Sequence, residues 1–118
     1  MGSVKTITYK GQEIIYTDFR DCTEEEMLQL LDQGQELVLQ GKQQTLQLTN
    51  ITRAYATRKF TVRANEVGKA TKHLTRKEAI VGITGAKKVL FRAYNLLMGG
   101  VARAFETEEE AKEWLIRD

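Results

Sequence analysis

An α/β fold with the element order β-β-α-β-α-β-α-β-α is predicted for this chain, and three observations predict it. Short runs rich in Ile, Thr and Tyr alternate with longer segments at helical spacing. Two of the helical segments open on a Thr followed three residues later by a Glu, the capping-box pattern. Only the first two strands are joined by a tight turn. Each later pair is separated by a helix, which favours parallel strands joined by right-handed crossovers after an antiparallel hairpin.

The elements follow in chain order. "TITYKGQEIIYTDF" holds two strand-like runs around Lys10, Gly11 and Gln12, a hairpin with glycine supplying the turn. "DCTEEEMLQLLDQGQELVLQG" is a helix capped by Thr23 and Glu26, with Glu24 and Glu25 set against the positive end of the helix dipole. Met27, Leu30, Leu31, Leu37 and Val38 keep to one side of it, together with Gly34, where a neighbour can pack closely; Gly41 is expected to end it. "LTNITRAYATRKF" reads as a half-buried strand, a short turn and a helix that begins at Thr57. In that helix Phe60, Ala64, Val67, Thr71 and Leu74 share a narrow arc, and Arg58, Lys59, Arg63, Lys69 and Lys72 form a basic outer face. "EAIVGI" is a continuous apolar run, expected as a central strand. "TGAKKVLFRAYNLLMGG" is a helix closed by Gly99 and Gly100, "VARAF" a fifth strand, and "TEEEAKEWLIRD" a last helix with Thr107 and Glu110 repeating the capping box and Ala111, Trp114 and Leu115 facing inward.

Composition bounds the possibilities. A chain of 118 residues, 42% hydrophobic and 29% charged, suits one domain over residues 1–118. Its one cysteine, Cys22, has no second cysteine to bridge, and the start lacks a secretory apolar run, so a cytoplasmic setting is expected. No apolar stretch approaches the roughly 20 residues needed to span a bilayer. Charge is unevenly placed: residues 1–52 carry 4 basic and 8 acidic side chains, residues 53–92 carry 11 and 2, and residues 93–118 carry 3 and 6. The basic middle suits an anionic partner, because clustered like charge repels itself unless solvent or a ligand relieves it.

The segments "TITYKGQEIIYTDF", "LTNIT", "VGITGAKKVLFRAYN" and "FETEEEAKEWL" resemble the STAS-like proteins, which include bacterial anti-sigma-factor antagonists and small STAS/SEC14-like domains. The resemblance implies a mostly parallel, sequentially ordered sheet, a β-α superhelix with an antiparallel first strand. It also implies a non-enzymatic regulatory or scaffolding module that binds a protein through the turn after the third strand and the following helix. In antagonists that turn carries Asp-Ser-Ser-Gly and is switched by serine phosphorylation. The matching positions here are Tyr55, Ala56, Thr57 and Arg58, so only Thr57 keeps a hydroxyl. Thr57 is thus the candidate phosphorylation site, and an N-cap is the simpler role for it.

The residues expected to meet a partner are Tyr55, Thr57, Arg58, Lys59 and Arg63, joined by Phe91, Tyr94 and Met98. These last three recur on a different side of the third helix from Val89, Leu90, Ala93, Leu96 and Leu97, which are assigned to the sheet. An acidic protein or a second copy of the chain would fit such a surface. The alternative is a small-ligand domain holding an anionic or lipid-like molecule near Thr84, Gly85, Lys87 and Lys88, where a helix start and two lysines favour negative charge. No catalytic residue, cofactor or metal is expected. His73 is the only histidine, one cysteine and one histidine fall short of a metal site, and no aromatics interleave the basic residues as RNA recognition would need.

Overall fold

The computed structural model describes residues 2–117. The chain runs β1 (Ser3–Tyr9), β2 (Gln12–Asp18), α1 (Glu24–Gly41), β3 (Thr45–Asn50), α2 (Arg58–Thr71), one 3₁₀ turn (Lys72–Leu74), β4 (Thr75–Val81), α3 (Lys87–Leu97), β5 (Ala102–Phe105) and α4 (Glu108–Ile116). The fold is α/β in the predicted order. Five strands lie in one sheet in the order β1-β2-β3-β4-β5, with β1 antiparallel to β2 and every other pair parallel.

Local chemistry explains the boundaries. The hairpin loop is Lys10 and Gly11, both at positive φ (47° and 83°), the backbone that matches the twist of the flanking strands. Thr23 Oγ1 accepts the Glu26 N–H at 3.2 Å while Glu26 Oε1 accepts the Thr23 N–H at 2.8 Å, so the capping box is formed at both ends. Thr107 caps α4 through the Glu110 N–H at 3.2 Å. Gly41 is the last residue of α1, as expected, and the chain reversal falls on the residue after it, exposed Lys42 at φ 53°.

Alternation along the strands sorts side chains into two layers. On one face Ile14, Tyr16, Leu46, Leu48, Ala79 and Val81 pack with Ala111 and Leu115 of α4. On the other, Phe19, Ile51 and Ile80 meet Met27 and Leu30 of α1 and Phe60 of α2. Phe19 and Phe60 stand edge to face with ring centroids 5.4 Å apart.

The orientation of α3 differs from the expectation. Phe91, Tyr94 and Met98 are not an exposed stripe: Met98 is buried, and Phe91 and Tyr94 pack against the cluster beneath α1 and α2. Instead, Val89 and Leu96 are 65% and 84% exposed, and Ala93 lies between them on the solvent side. Two contacts explain the rotation. The Tyr94 hydroxyl donates to the buried Glu78 carboxylate at 2.6 Å, and Gly68 of α2 leaves room for the inward stripe. A Cβ at Gly68 would stand 3.0 Å from Tyr94 Cε1 and 3.1 Å from Met98 Sδ. Apolar spacing alone left two candidate inward stripes, and hydrogen bonding with close packing selected between them.

The carboxyl ends of β3 and β4 approach so closely that Gly82, at φ 99°, sits 2.6 Å from the Thr52 nitrogen measured from where a Cβ would be. Gly82→Ala is therefore expected to lower stability by about 1–3 kcal/mol, because both the positive φ and the backbone contact oppose a side chain. Urea unfolding checks this: the midpoint should fall with the slope unchanged.

Candidate functional site

The side of the sheet that faces α1, α2 and α3 is unusually polar for a covered surface. Cross-strand register places Ile15, Gln47 and Glu78 in one row and Thr17, Thr49 and Ile80 in the next. Above them lies a half-enclosed cavity of about 130 Å³, with those six residues as its floor. Its roof comes from Leu30, Leu31, Gly34 and Val38 of α1, Phe60, Ala64 and Asn65 of α2, and Leu90, Phe91 and Tyr94 of α3. Gly34 helps to make the space: a Cβ there would meet nothing nearer than Thr17 Oγ1 at 4.0 Å.

Glu78 is the least expected residue in this wall. It lies inside β4 with neighbours on both sides and is 6% exposed. Burial pushes its carboxyl up to about 7, against which the hydrogen bond from Tyr94 acts weakly. The same pairing and burial push the Tyr94 hydroxyl well above its ordinary range. Gln47, its neighbour across the strand pair, donates instead to the Thr45 and Thr75 hydroxyls at 2.8 and 3.0 Å.

Lys87 borders the cavity at the carboxyl end of the sheet. Its ammonium donates to the Ile51 carbonyl at 2.9 Å and the Gly82 carbonyl at 3.3 Å, and desolvation lowers its pKa. The anion site expected from Thr84, Gly85, Lys87 and Lys88 is thus not assembled as a group. Thr84, Gly85 and Lys88 are exposed, whereas Lys87 turns towards the strand-end carbonyls of Ile51 and Gly82, the first of which also accepts the Ala54 N–H at 3.2 Å. The Thr84 and Gly85 carbonyls themselves accept the Lys87 and Lys88 N–H groups at 3.2 and 3.1 Å, which occupies the first amides of α3.

Thr57 is the N-cap of α2, accepting the Phe60 N–H at 3.2 Å. Its hydroxyl also donates to the Glu24 carboxylate of α1. A phosphate on Thr57 would set new negative charge beside Glu24 and displace the cap. Arg58, Lys59 and Arg63 do share a shallow groove between α1 and α2 with Leu28, Asp32, Val62 and Glu66. Arg63, however, is already bonded to Asp32 at 2.8 Å and Glu66 at 3.3 Å, and it reaches Gln35 of α1 at 3.3 Å. It ties the two roof helices together. Tyr55, at the turn before α2, is 86% exposed.

Sequence reasoning missed Glu78, Gln47, Thr17, Thr49 and Gly34 as members of one site. A usable signal was present: in "TLQLTN" the residues alternating with Leu are Thr45, Gln47 and Thr49, and a strand between two others carries those side chains under helices rather than into water. Among the described residues no group of three or more His, Cys, Asp or Glu could hold a metal, and no helix is long and apolar enough to cross a membrane. Comparison with protein-family models, curated proteins and solved structures returns no match.

The Glu78 environment sets a pH dependence with a defined sign. An unfolded glutamate titrates near its ordinary 4.5, the folded one near 7. Between these values the folded state holds the extra proton, so Glu78 stabilises the fold at low pH and loses that contribution as pH rises towards 7 and beyond. The expected loss is on the order of 1–3 kcal/mol. Denaturant melts of wild type and Glu78→Gln across pH 4.5 to 8 check this through their difference, which cancels the other carboxylates; a flat difference would contradict the assignment.

Proposed function

We propose that this chain is a non-enzymatic STAS-like binding domain that holds one small, largely apolar molecule between its sheet and helices α1, α2 and α3. The observation that carries the reading is the cavity itself, walled by aliphatic and aromatic side chains and floored mainly by polar ones. A well-packed core has few voids larger than a water, and a void of roughly 150 Å³ lined by apolar groups admits benzene. At about 130 Å³ this one suits a ring or short chain of similar size. The sequential sheet with one antiparallel strand supports the family resemblance. The non-enzymatic part is supported by the separation of the reactive side chains. His73 is exposed on the 3₁₀ turn before β4, while Cys22 lies beyond the carboxyl end of the parallel strand β2, and burial raises its thiol pKa.

Gly34→Leu tests this directly, since the new side chain would enter the cavity from α1 while improving helix propensity by about 0.5–1 kcal/mol. In amide NMR titrations with toluene, the wild type should show saturable shifts at Thr17, Thr49 and Ala64, with affinity of about millimolar or better. The variant should stay folded and show none. Absence of saturable shifts in the wild type would overturn the reading.

A protein-binding reading keeps one specific observation in its favour: Tyr55 and Val62 are 86% and 51% exposed, the latter in the groove with Arg58 and Lys59. An acidic partner would be steered there by charge and anchored by those two side chains. A partner retained on purification from the native host should then be lost on Tyr55→Ala with Val62→Asp, and its association should slow as salt rises.

A further inference from the structure

Within the cavity, the Glu78 carboxylate is only half completed by the described residues. Glu78 Oε1 accepts the Tyr94 hydroxyl at 2.6 Å, and that is the only hydrogen bond its side chain makes among the described residues. Every fully enclosed side-chain nitrogen or oxygen there has a partner, so the second oxygen, Oε2, is not fully enclosed. Glu78 is 6% exposed and lines the cavity, so the surface left to Oε2 opens into that space.

The neighbours do not supply the missing bond. Gln47, opposite Glu78 on β3, commits its amide N–H groups to Thr45 and Thr75. Ala102, opposite it on β5, has no side-chain donor. Lys87 turns its ammonium to the Ile51 and Gly82 carbonyls, and no ion pair reaches the Glu78 carboxylate among the described residues. A buried carboxylate with an open acceptor is costly unless something completes it, and a charge-assisted hydrogen bond is the strongest available completion.

We infer that Glu78 is the polar anchor of the cavity and that the bound molecule is an aryl or short alkyl compound headed by a hydrogen-bond donor, a hydroxyl or amine that donates to Oε2. This rests on the cavity-binding reading above. Tyr94 then acts as a positioning residue: by occupying Oε1 it leaves Oε2 as the acceptor offered to the ligand. Thr17, Thr49 and Asn65 line the same space and supply further polar surface around the head group.

Toluene and phenol differ by a methyl against a hydroxyl and are nearly equal in size, which makes them the discriminating pair. Without a partner for its hydroxyl, phenol would bind the more weakly of the two, because its hydroxyl must leave water. With Glu78 as acceptor, phenol should bind at least about tenfold more tightly than toluene. Both are titrated by amide NMR at pH 8, above the value of about 7 at which the buried carboxyl ionises. In Glu78→Gln the amide oxygen takes the Tyr94 hydroxyl and the NH₂ faces the cavity, which replaces a charged acceptor by a neutral donor, so toluene binding should persist and phenol's advantage should shrink. Toluene binding as tightly as phenol to the wild type would overturn the anchor while leaving the cavity reading standing, and so would an advantage unchanged in Glu78→Gln. Failure of both probes to bind would overturn both.

Discussion

A carboxyl group set in the interior of a covered strand must be bonded from somewhere, and in this chain the bond between Glu78 and Tyr94 organises what surrounds it. Glu78 has strands on both sides and a helix above it. Water cannot solvate it as it would at the surface, so a donor has to come from the layer above. Tyr94 is that donor. Because Tyr94 lies four residues before Met98 and three after Phe91, turning it inward turns the whole stripe inward and leaves Val89, Ala93 and Leu96 in solvent. The rotation of α3 and the shape of the cavity it roofs thus follow from one polar requirement.

The cavity depends equally on what is missing. Gly68 of α2 lets Tyr94 and Met98 approach the helix backbone, and Gly34 of α1 leaves open space opposite Thr17. Neither glycine is at positive φ, so the gain at each is room and not backbone freedom. Each sits inside a helix, where glycine costs about 0.5–1 kcal/mol relative to alanine. That cost is balanced by close packing at Gly68, whereas at Gly34 no packing contact offsets it. An interior helical glycine facing empty space is what a binding cavity requires and a close-packed core does not.

Charge is arranged on a different scale. The basic middle third of the chain is partly neutralised by tertiary contacts: Arg53 pairs with Asp21, and Arg63 with Asp32 and Glu66. Exposed pairs of this kind add little stability, but Arg63 and the Thr57–Glu24 bond both cross from α2 to α1, so they hold the two roof helices at a set separation. Arg58, Lys59 and the exposed Tyr55 keep a cationic and aromatic margin beside that seam. The residues by which the family resemblance implies partner binding therefore border the cavity roof.

Patterning by itself determined the element order, the hairpin, the Thr23 and Thr107 caps and the cap at Thr57, because each depends on residues within a few positions of one another. The parallel pairing of the later strands was legible for a similar reason, since helices intervene between them. The inward face of α3 was not legible: two apolar stripes of similar quality lay on that helix, and the choice fell to Glu78, 16 residues earlier, and Gly68 on another helix. Nor was the role of Glu78 legible, because "EAIVGI" reads as apolar and only sheet register shows that its first residue shares a row with Gln47 beneath the helices. Lys87 likewise looked like part of an anion-binding turn until strand-end carbonyls from two segments claimed its ammonium. Local signals are carried by neighbours in sequence; the cavity is built from the distances between elements, and only the folded chain brings those together.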